Sequence, residues 1–317
     1  MSEHPEHKIV FLDRATIGVS VRTPNFPHEY KEYQATAVEE IVERLADADI
    51  AIINKVQMRA PTLEKLPKLK LIAVAATGTD CIDKAYCKAH GIAISNIRNY
   101  AVNTVPEHTL ALIFALRRSL FPYVLDVRGG KWQTIDQFCY FDHPIRDIAG
   151  STLGLIGFGA LGKSVATRAE ALGMKVIATD VYDFPGKVDL ETILAESDII
   201  SLHCPITDGT RNIIGAAEFK KMKKEAILIN TARGGLVDEV ALVAALKSGE
   251  IAGAGFDVLT VEPPKQGNVL LESDLPNLLI TPHVAWASIE AMTGLANQLV
   301  DNIEAWVAGA PRNLVTE

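Results

Sequence analysis

Thr152-Leu153-Gly154-Leu155-Ile156-Gly157-Phe158-Gly159-Ala160-Leu161-Gly162 joins an apolar run to three glycines in G-x-G-x-x-G spacing. The segment that follows, 160–172, closes at Gly173, and glycine is the usual residue just past a helix end. In a strand-turn-helix of this kind the first glycine permits the tight turn. The second lets the backbone approach a pyrophosphate, and the third lets helix and strand pack closely. Amides at the start of the helix, around Ala160 and Leu161, would face the phosphates, where the helix dipole favours negative charge. Alone the pattern is weak, because any glycine-rich turn matches it by chance. Asp180 strengthens it. It ends the next apolar run, 18 residues after Gly162, where a carboxylate accepts hydrogen bonds from both ribose hydroxyls of an adenosine. The bland alternative is a solvated strand-end aspartate. A 2′-phosphate held about 4 Å from this acid would be repelled by roughly 1 to 4 kcal/mol, so NAD is expected over NADP.

The same alternation extends in both directions. Short apolar, β-branched runs at 9–12, 50–53, 71–75 and 92–95, and again at 152–156, 175–179, 199–202, 226–229, 252–257 and 278–281, predict buried parallel strands separated by helices. The class is therefore α/β, with two doubly wound parallel-sheet domains. Two helices join them. Thr104-Val105-Pro106-Glu107 reads as a capping box, and Leu110-Ala111-Leu112-Ile113-Phe114-Ala115-Leu116 is apolar on every side, which predicts burial all round. In the last helix Ile289, Met292, Leu295, Leu299, Ile303 and Trp306 form one stripe, read as returning to the first domain. The domains are accordingly expected at 1–101 plus 287–317 and at 102–286, the second inserted into the first.

Composition excludes several classes. With 317 residues, 48% apolar and 22% charged, the chain has an ordinary globular make-up with room for two domains. A net charge of -8 argues against nucleic acid or an anionic membrane as a partner. Cys81, Cys87, Cys139 and Cys204 form no C-x-x-C pair, so no metal site or disulfide framework is expected, and reduced thiols suit a cytoplasmic protein. The polar residues 1–8 lead into an apolar run too short for a signal-peptide core.

Reducing a 2-keto acid by hydride transfer needs a cation to hold the carboxylate, an acid for the forming alkoxide and a nicotinamide nearby. Arg233, in Asn230-Thr231-Ala232-Arg233-Gly234-Gly235, follows a predicted strand, and ligands of parallel sheets bind at the carboxyl ends of strands. Its planar fork suits a carboxylate, although a surface ion pair is the alternative. His283, in Thr281-Pro282-His283-Val284, also follows a strand and is a candidate acid and base near neutral pH. Glu262, in Val261-Glu262-Pro263-Pro264, is the candidate carboxylate for its far nitrogen. A structural hydrogen bond would account for such a histidine equally well.

Together these motifs resemble the D-isomer-specific 2-hydroxyacid dehydrogenase family over nearly the whole chain. Its catalytic arginine, glutamate and histidine fall on Arg233, Glu262 and His283, spaced by 29 and 21 residues. The resemblance implies a Rossmann NAD domain inserted into a flavodoxin-like substrate domain. It also implies that Asp257 contacts the nicotinamide amide. Thr104, His203, Pro205 and Thr231 would line the cofactor groove, with Ala232, Arg233, His283 and Ala285 completing it beside Gly157, Phe158 and Gly159. Substrate binding would fall to Thr77, Gly78, Arg233 and His283, the first two from the turn Ala75-Ala76-Thr77-Gly78-Thr79-Asp80, which the residues alone present as an ordinary strand-to-helix turn. With Asn96-Ile97-Arg98-Asn99-Tyr100 and Phe138-Cys139-Tyr140-Phe141, the turn looks most like the glycerate dehydrogenase or hydroxypyruvate reductase branch.

The expected reaction is NADH-dependent reduction of hydroxypyruvate to D-glycerate and its reverse, or of glyoxylate to glycolate. D-lactate or phosphite oxidation, or an NAD-sensing co-repressor-like scaffold, are the alternatives. The aromatic segment 132–141 and the central helix suggest a homodimer contact, with intramolecular core the competing reading.

Overall fold

In the computed structural model residues 7–315 are described, and the chain divides into two compact units, Met1–Tyr100 with Ala287–Glu317, and Ala101–Trp286. Residues 1–6, most of the polar stretch read against a signal peptide, lie outside the described residues.

The first unit holds β1 (His7–Phe11), β2 (His28–Glu32), β3 (Ile50–Ile53), β4 (Leu71–Val74) and β5 (Ala93–Ser95) in the order β2-β1-β3-β4-β5, all parallel. This is the flavodoxin-type order. Every residue of β3 and β4 is buried, as sequences apolar at each position require when both faces of a sheet are covered. β2 is the strand that periodicity misses. It reads His-Glu-Tyr-Lys-Glu, lies at the sheet edge and is mostly exposed, and charge on an edge strand discourages pairing with other chains.

The helix Ile289–Val307 packs against β4 and buries Leu295, Leu299 and Ile303. One residue of the expected stripe is corrected: Ile289 is 71% exposed. Ser288 caps the helix by accepting the Ala291 amide at 3.1 Å, so Ile289 sits in the first turn and Ala291 opens the buried face. Asn302, buried within that face, donates to the Asn96 carbonyl at 2.9 Å and accepts from Asn313 at 3.0 Å, tying the helix to the end of β5.

The second unit holds β6 (Thr152–Ile156), β7 (Lys175–Thr179), β8 (Ile199–Leu202), β9 (Ile227–Asn230), β10 (Gly253–Phe256) and β11 (Leu278–Ile280) in the order β11-β10-β9-β8-β6-β7, again all parallel. Beyond β7 a single parallel bridge pairs Ala178 with Lys187. Counting that stump as a strand gives the 3-2-1-4-5-6 succession of a Rossmann sheet, with β11 added as a seventh strand at the far edge. Separate apolar clusters contain Leu202, Leu242 and Phe256, and Ile113, Leu153 and Val165.

Two readings of the helix Thr104–Arg117 are overturned. Asn103 is the N-cap residue, with no side-chain cap bond. Thr104 already lies in the first turn, and its hydroxyl donates instead to the Ala285 carbonyl at 3.1 Å, so the capping box does not form. Nor is the helix buried all round: Leu112 and Ile113 are covered, Ala111 is exposed, and Phe114, Ala115 and Leu116 are half-buried. The next helix, Leu120–Arg128, buries none of its residues and exposes Leu120, Phe121, Val124 and Leu125.

Candidate active site

Gly157 adopts φ 101°, and a Cβ on it would lie 2.5 Å from the His203 carbonyl carbon. A Cβ on Gly162 would lie 2.2 Å from the Gly157 oxygen, whereas one on Gly159 would meet nothing within 4 Å. The outer glycines thus let the chain close on itself, and the middle one leaves room for a ligand. Behind it the helix Ala160–Ala171 begins with Ala160 exposed and Leu161 half-buried. The Phe158 amide donates to Asp180 Oδ2 at 2.6 Å and the Tyr182 amide to Oδ1 at 3.3 Å, so the acid at the end of β7 also holds the turn after β6. Both line a cavity of about 680 Å3 together with Lys163, His203 and Pro205. The Phe158 ring stacks on Phe184 at 4.7 Å, a contact no sequence signal announces. Burial pushes the His203 imidazole down to about 4. It is therefore neutral near pH 7, with Nε2 2.9 Å from the Ser201 hydroxyl.

β9 delivers Thr231, Ala232 and Arg233. Asn230 braces the turn at both ends, accepting the Ala232 amide at 3.1 Å and donating to the Arg233 carbonyl at 2.8 Å. Arg233 Nη1 donates to the Ala232 carbonyl at 2.7 Å, and Thr231 Oγ1 lies 3.1 Å from Thr109 Oγ1. Gly234 is pressed against the next loop: a Cβ there would lie 2.0 Å from the Leu259 carbonyl carbon. That loop carries Glu262, whose Oε1 accepts the Leu259 amide at 2.7 Å and whose Oε2 lies 2.6 Å from His283 Nδ1. Glu262 and His283 therefore form the pair expected of them, and the loops of Arg233 and Glu262 touch.

His283 has φ 55°, in the left-handed region. Its amide donates to the Asp257 carbonyl at 2.8 Å, and its own carbonyl accepts Trp286 Nε1 at 3.0 Å. Asp257, at the end of β10 and 1% exposed, accepts from Thr281 Oγ1 at 2.5 Å, the Val284 amide at 2.9 Å and the Ala285 amide at 2.8 Å. A carboxylate so deeply buried needs such donors, and here they pin the loop bearing the histidine. His108 Nε2 lies 2.9 Å from Thr281 Oγ1 and 3.7 Å from Asp257 Oδ1. Sequence reading misses His108, though one helical turn beyond Thr104 is where a second residue facing this loop belongs.

Thr77 and Gly78 lie in the first unit, just past β4. The Thr77 hydroxyl donates to the Ile97 carbonyl at 2.7 Å, and its carbonyl accepts from Asn96 at 2.8 Å. Among the described residues no group of three or more His, Cys, Asp or Glu side chains could hold a metal ion, and no helix is long and apolar enough to cross a membrane.

A Rossmann sheet with a glycine turn locked to a strand-end acid, and an arginine loop packed against a hydrogen-bonded Glu-His pair, define a nicotinamide-dinucleotide oxidoreductase. Residues 110–285 match the family model of the D-isomer specific 2-hydroxyacid dehydrogenase, NAD binding domain. The chain is 67% identical to a glycerate dehydrogenase of Methylorubrum extorquens over 97% of its own length and 98% of the relative's. It is 36% identical to a hydroxypyruvate reductase of Blautia hydrogenotrophica, over 91% of each. Among solved structures, a D-lactate dehydrogenase with NAD+ from Lactobacillus jensenii superposes with a TM-score of 0.79 at 29% identity, over 98% of this chain and 100% of that one. The chain belongs to the D-isomer specific 2-hydroxyacid dehydrogenases and is an NAD-dependent enzyme.

Proposed function

We propose that the enzyme interconverts hydroxypyruvate and D-glycerate, with glyoxylate as a second substrate. The observation that carries this reading is the 2.6 Å contact between Glu262 and His283, in a chain two-thirds identical to a glycerate dehydrogenase. The bound cofactor supplies the hydride to C2, or takes it in the reverse direction. Arg233 binds the substrate carboxylate, and the family resemblance also assigns substrate binding to Thr77 and Gly78 of the first unit. His283 gives a proton to the C2 oxygen in reduction and takes it back in oxidation. Glu262 holds Nδ1, which leaves Nε2 for that transfer. Gly157, Gly159, Gly162 and Asp180 hold the pyrophosphate and adenosine ribose, while His203, Pro205, Thr231, Ala232 and Ala285 line the rest of the groove. Residues 1–101 with 287–317 serve as the substrate domain, and 102–286 as the dinucleotide domain. Asp257 takes the nicotinamide-amide role that the resemblance assigns it, from a carboxylate that also holds the His283 loop through the Val284 and Ala285 amides.

The active form is a cytoplasmic homodimer. Support comes from the uncovered apolar face of Leu120, Phe121, Val124 and Leu125, and from Phe138 and Phe141, 88% and 82% exposed, an apolar surface of the kind that marks an interface. Sedimentation should give twice the 34.3 kDa chain mass. A monomer at assay concentration would remove the dimer.

Steady-state assays with hydroxypyruvate, glyoxylate and pyruvate, each against NADH and NADPH, test the function. The highest kcat/KM is expected for hydroxypyruvate with NADH. No turnover of any of the three would overturn the reading.

A further inference from the structure

Ligands of doubly wound sheets bind beyond the carboxyl ends of the strands, where the strand order reverses. In the first unit that reversal falls between β1 and β3, with Asp13 two residues past β1 and Asn54-Lys55 directly after β3. Asp13 is 6% exposed and accepts the Asn54 amide at 2.8 Å and the Lys55 amide at 2.7 Å. A carboxylate of the chain itself thus occupies the amide nest that would suit an anion, and it fixes the backbone of Asn54. The turn bearing Thr77 and Gly78 shares this rim. Ile53 accepts the Ala75 amide at 2.7 Å, the Met58 amide donates to the Cys81 carbonyl at 2.8 Å, and the Cys81 thiol lies 4.0 Å from the Asn54 carbonyl.

Asn54 is 4% exposed, and its Oδ1 is buried without a hydrogen-bond partner. Such an orphan costs stability and calls for a cause. An amide oxygen has no rotor to relieve it, unlike the hydroxyls of Ser95 and Ser197, which are also buried and unpartnered. Exchanging oxygen and nitrogen by an amide flip would leave an equally unpartnered donor.

We infer that Asn54 recognises the C3 hydroxyl of the substrate, making it the residue that separates hydroxypyruvate from 2-keto acids lacking that group. The hydroxyl both donates and accepts, so it pairs with either end of the amide. With the carboxylate held at Thr77 and Gly78, the rim between β3 and β4 is where the C3 substituent is read. A site built around a hydroxyl discriminates strongly against analogues without it, because its own polar atom is otherwise left unpaired. The inference rests on the hydroxypyruvate reading above.

The test compares wild type with Asn54→Ala on hydroxypyruvate, pyruvate and glyoxylate with NADH. Wild type should favour hydroxypyruvate over pyruvate by about 100-fold or more in kcat/KM. Asn54→Ala should cut kcat/KM for hydroxypyruvate about 10- to 100-fold, mainly through KM, and change that for glyoxylate less than about threefold. Because the alanine removes an unpartnered atom, Tm should not fall; a merely structural asparagine would lower it. Equal losses on all three substrates, or an unchanged ratio, overturn the inference and leave the hydroxypyruvate reading intact. Wild type equally active on hydroxypyruvate and pyruvate overturns it with no variant needed. Asn54→Ser, whose hydroxyl is too short to reach as far, carries the same expectation should the alanine variant not fold. Absence of turnover in wild type would be a failure of the underlying reading instead.

Discussion

Glu262 divides its two carboxylate oxygens between His283 Nδ1, at 2.6 Å, and the Leu259 amide, at 2.7 Å. The second contact fixes the carboxylate on its own loop, so the first orients the imidazole rather than following it. Removing His283 should cost far more than neutralising Glu262. His283→Ala is expected to lower kcat about a thousandfold, and Glu262→Gln, which keeps a hydrogen-bonding group, about 10- to 100-fold. Single-turnover reduction monitored by NADH absorbance separates the two. Near-wild-type turnover in His283→Ala would refute the acid role.

Gly234→Ala places a methyl group 2.0 Å from the Leu259 carbonyl carbon. No side chain can yield there, only backbone, so the loops of Arg233 and Glu262 must part. A loss of about 3 kcal/mol in stability is expected, with a fall in kcat/KM beyond what the lowered stability explains. A denaturant midpoint equal to wild type would contradict this.

Asp180 accepts the Phe158 amide, and the proposed cofactor site gives it a second duty toward the adenosine ribose. Asp180→Ala should raise the KM for NADH about tenfold and shift the NADPH-to-NADH ratio of kcat/KM upward by at least as much. An unchanged ratio would leave Asp180 only its duty to the turn.

The His203 imidazole, pushed down to about 4 from 6.5 by burial, is harder to protonate folded than unfolded. Its contribution to stability is therefore complete above pH 6.5 and is lost as pH falls toward 4. The loss should be on the order of 2 kcal/mol. Urea midpoints at pH 7 and pH 4.5 for wild type and His203→Gln measure it, since the variant keeps every other titrating group. Equal pH dependence in the two proteins would sink the assignment.

Much of this architecture is legible in the chain because its strands are buried on both faces. Ile50-Ala51-Ile52-Ile53 and Ile199-Ile200-Ser201-Leu202 are fully buried, and a run that is apolar throughout, or broken only by one small hydroxyl, carries that signal. β2 gives none, since the edge strand His-Glu-Tyr-Lys-Glu answers to solvent. Arg233, Glu262 and His283 stand out because each follows a short distinctive motif. His108 and Asn54 do not, since their meaning depends on which strand ends lie side by side. Thr104 misleads for a related reason: its hydroxyl satisfies a carbonyl 181 residues away rather than its own helix.

The helix Ile289–Val307 lies in the carboxyl-terminal segment, Ala287–Glu317, of a unit whose sheet is built wholly from Met1–Tyr100. During synthesis the amino-terminal sheet must therefore wait, with β4 lacking its cover, while Ala101–Trp286 is made. The inserted unit is contiguous, and on the ribosome it has everything it needs to fold first. Arg233, Glu262 and His283 all lie within it, so the hydrogen-bonded Glu262–His283 pair is assembled before the sheet bearing Asn54 and Thr77 is finished. A chain lacking the helix Ile289–Val307 should accordingly still bind NADH while leaving β4 uncovered, which makes that helix the piece on which completion of the first sheet waits.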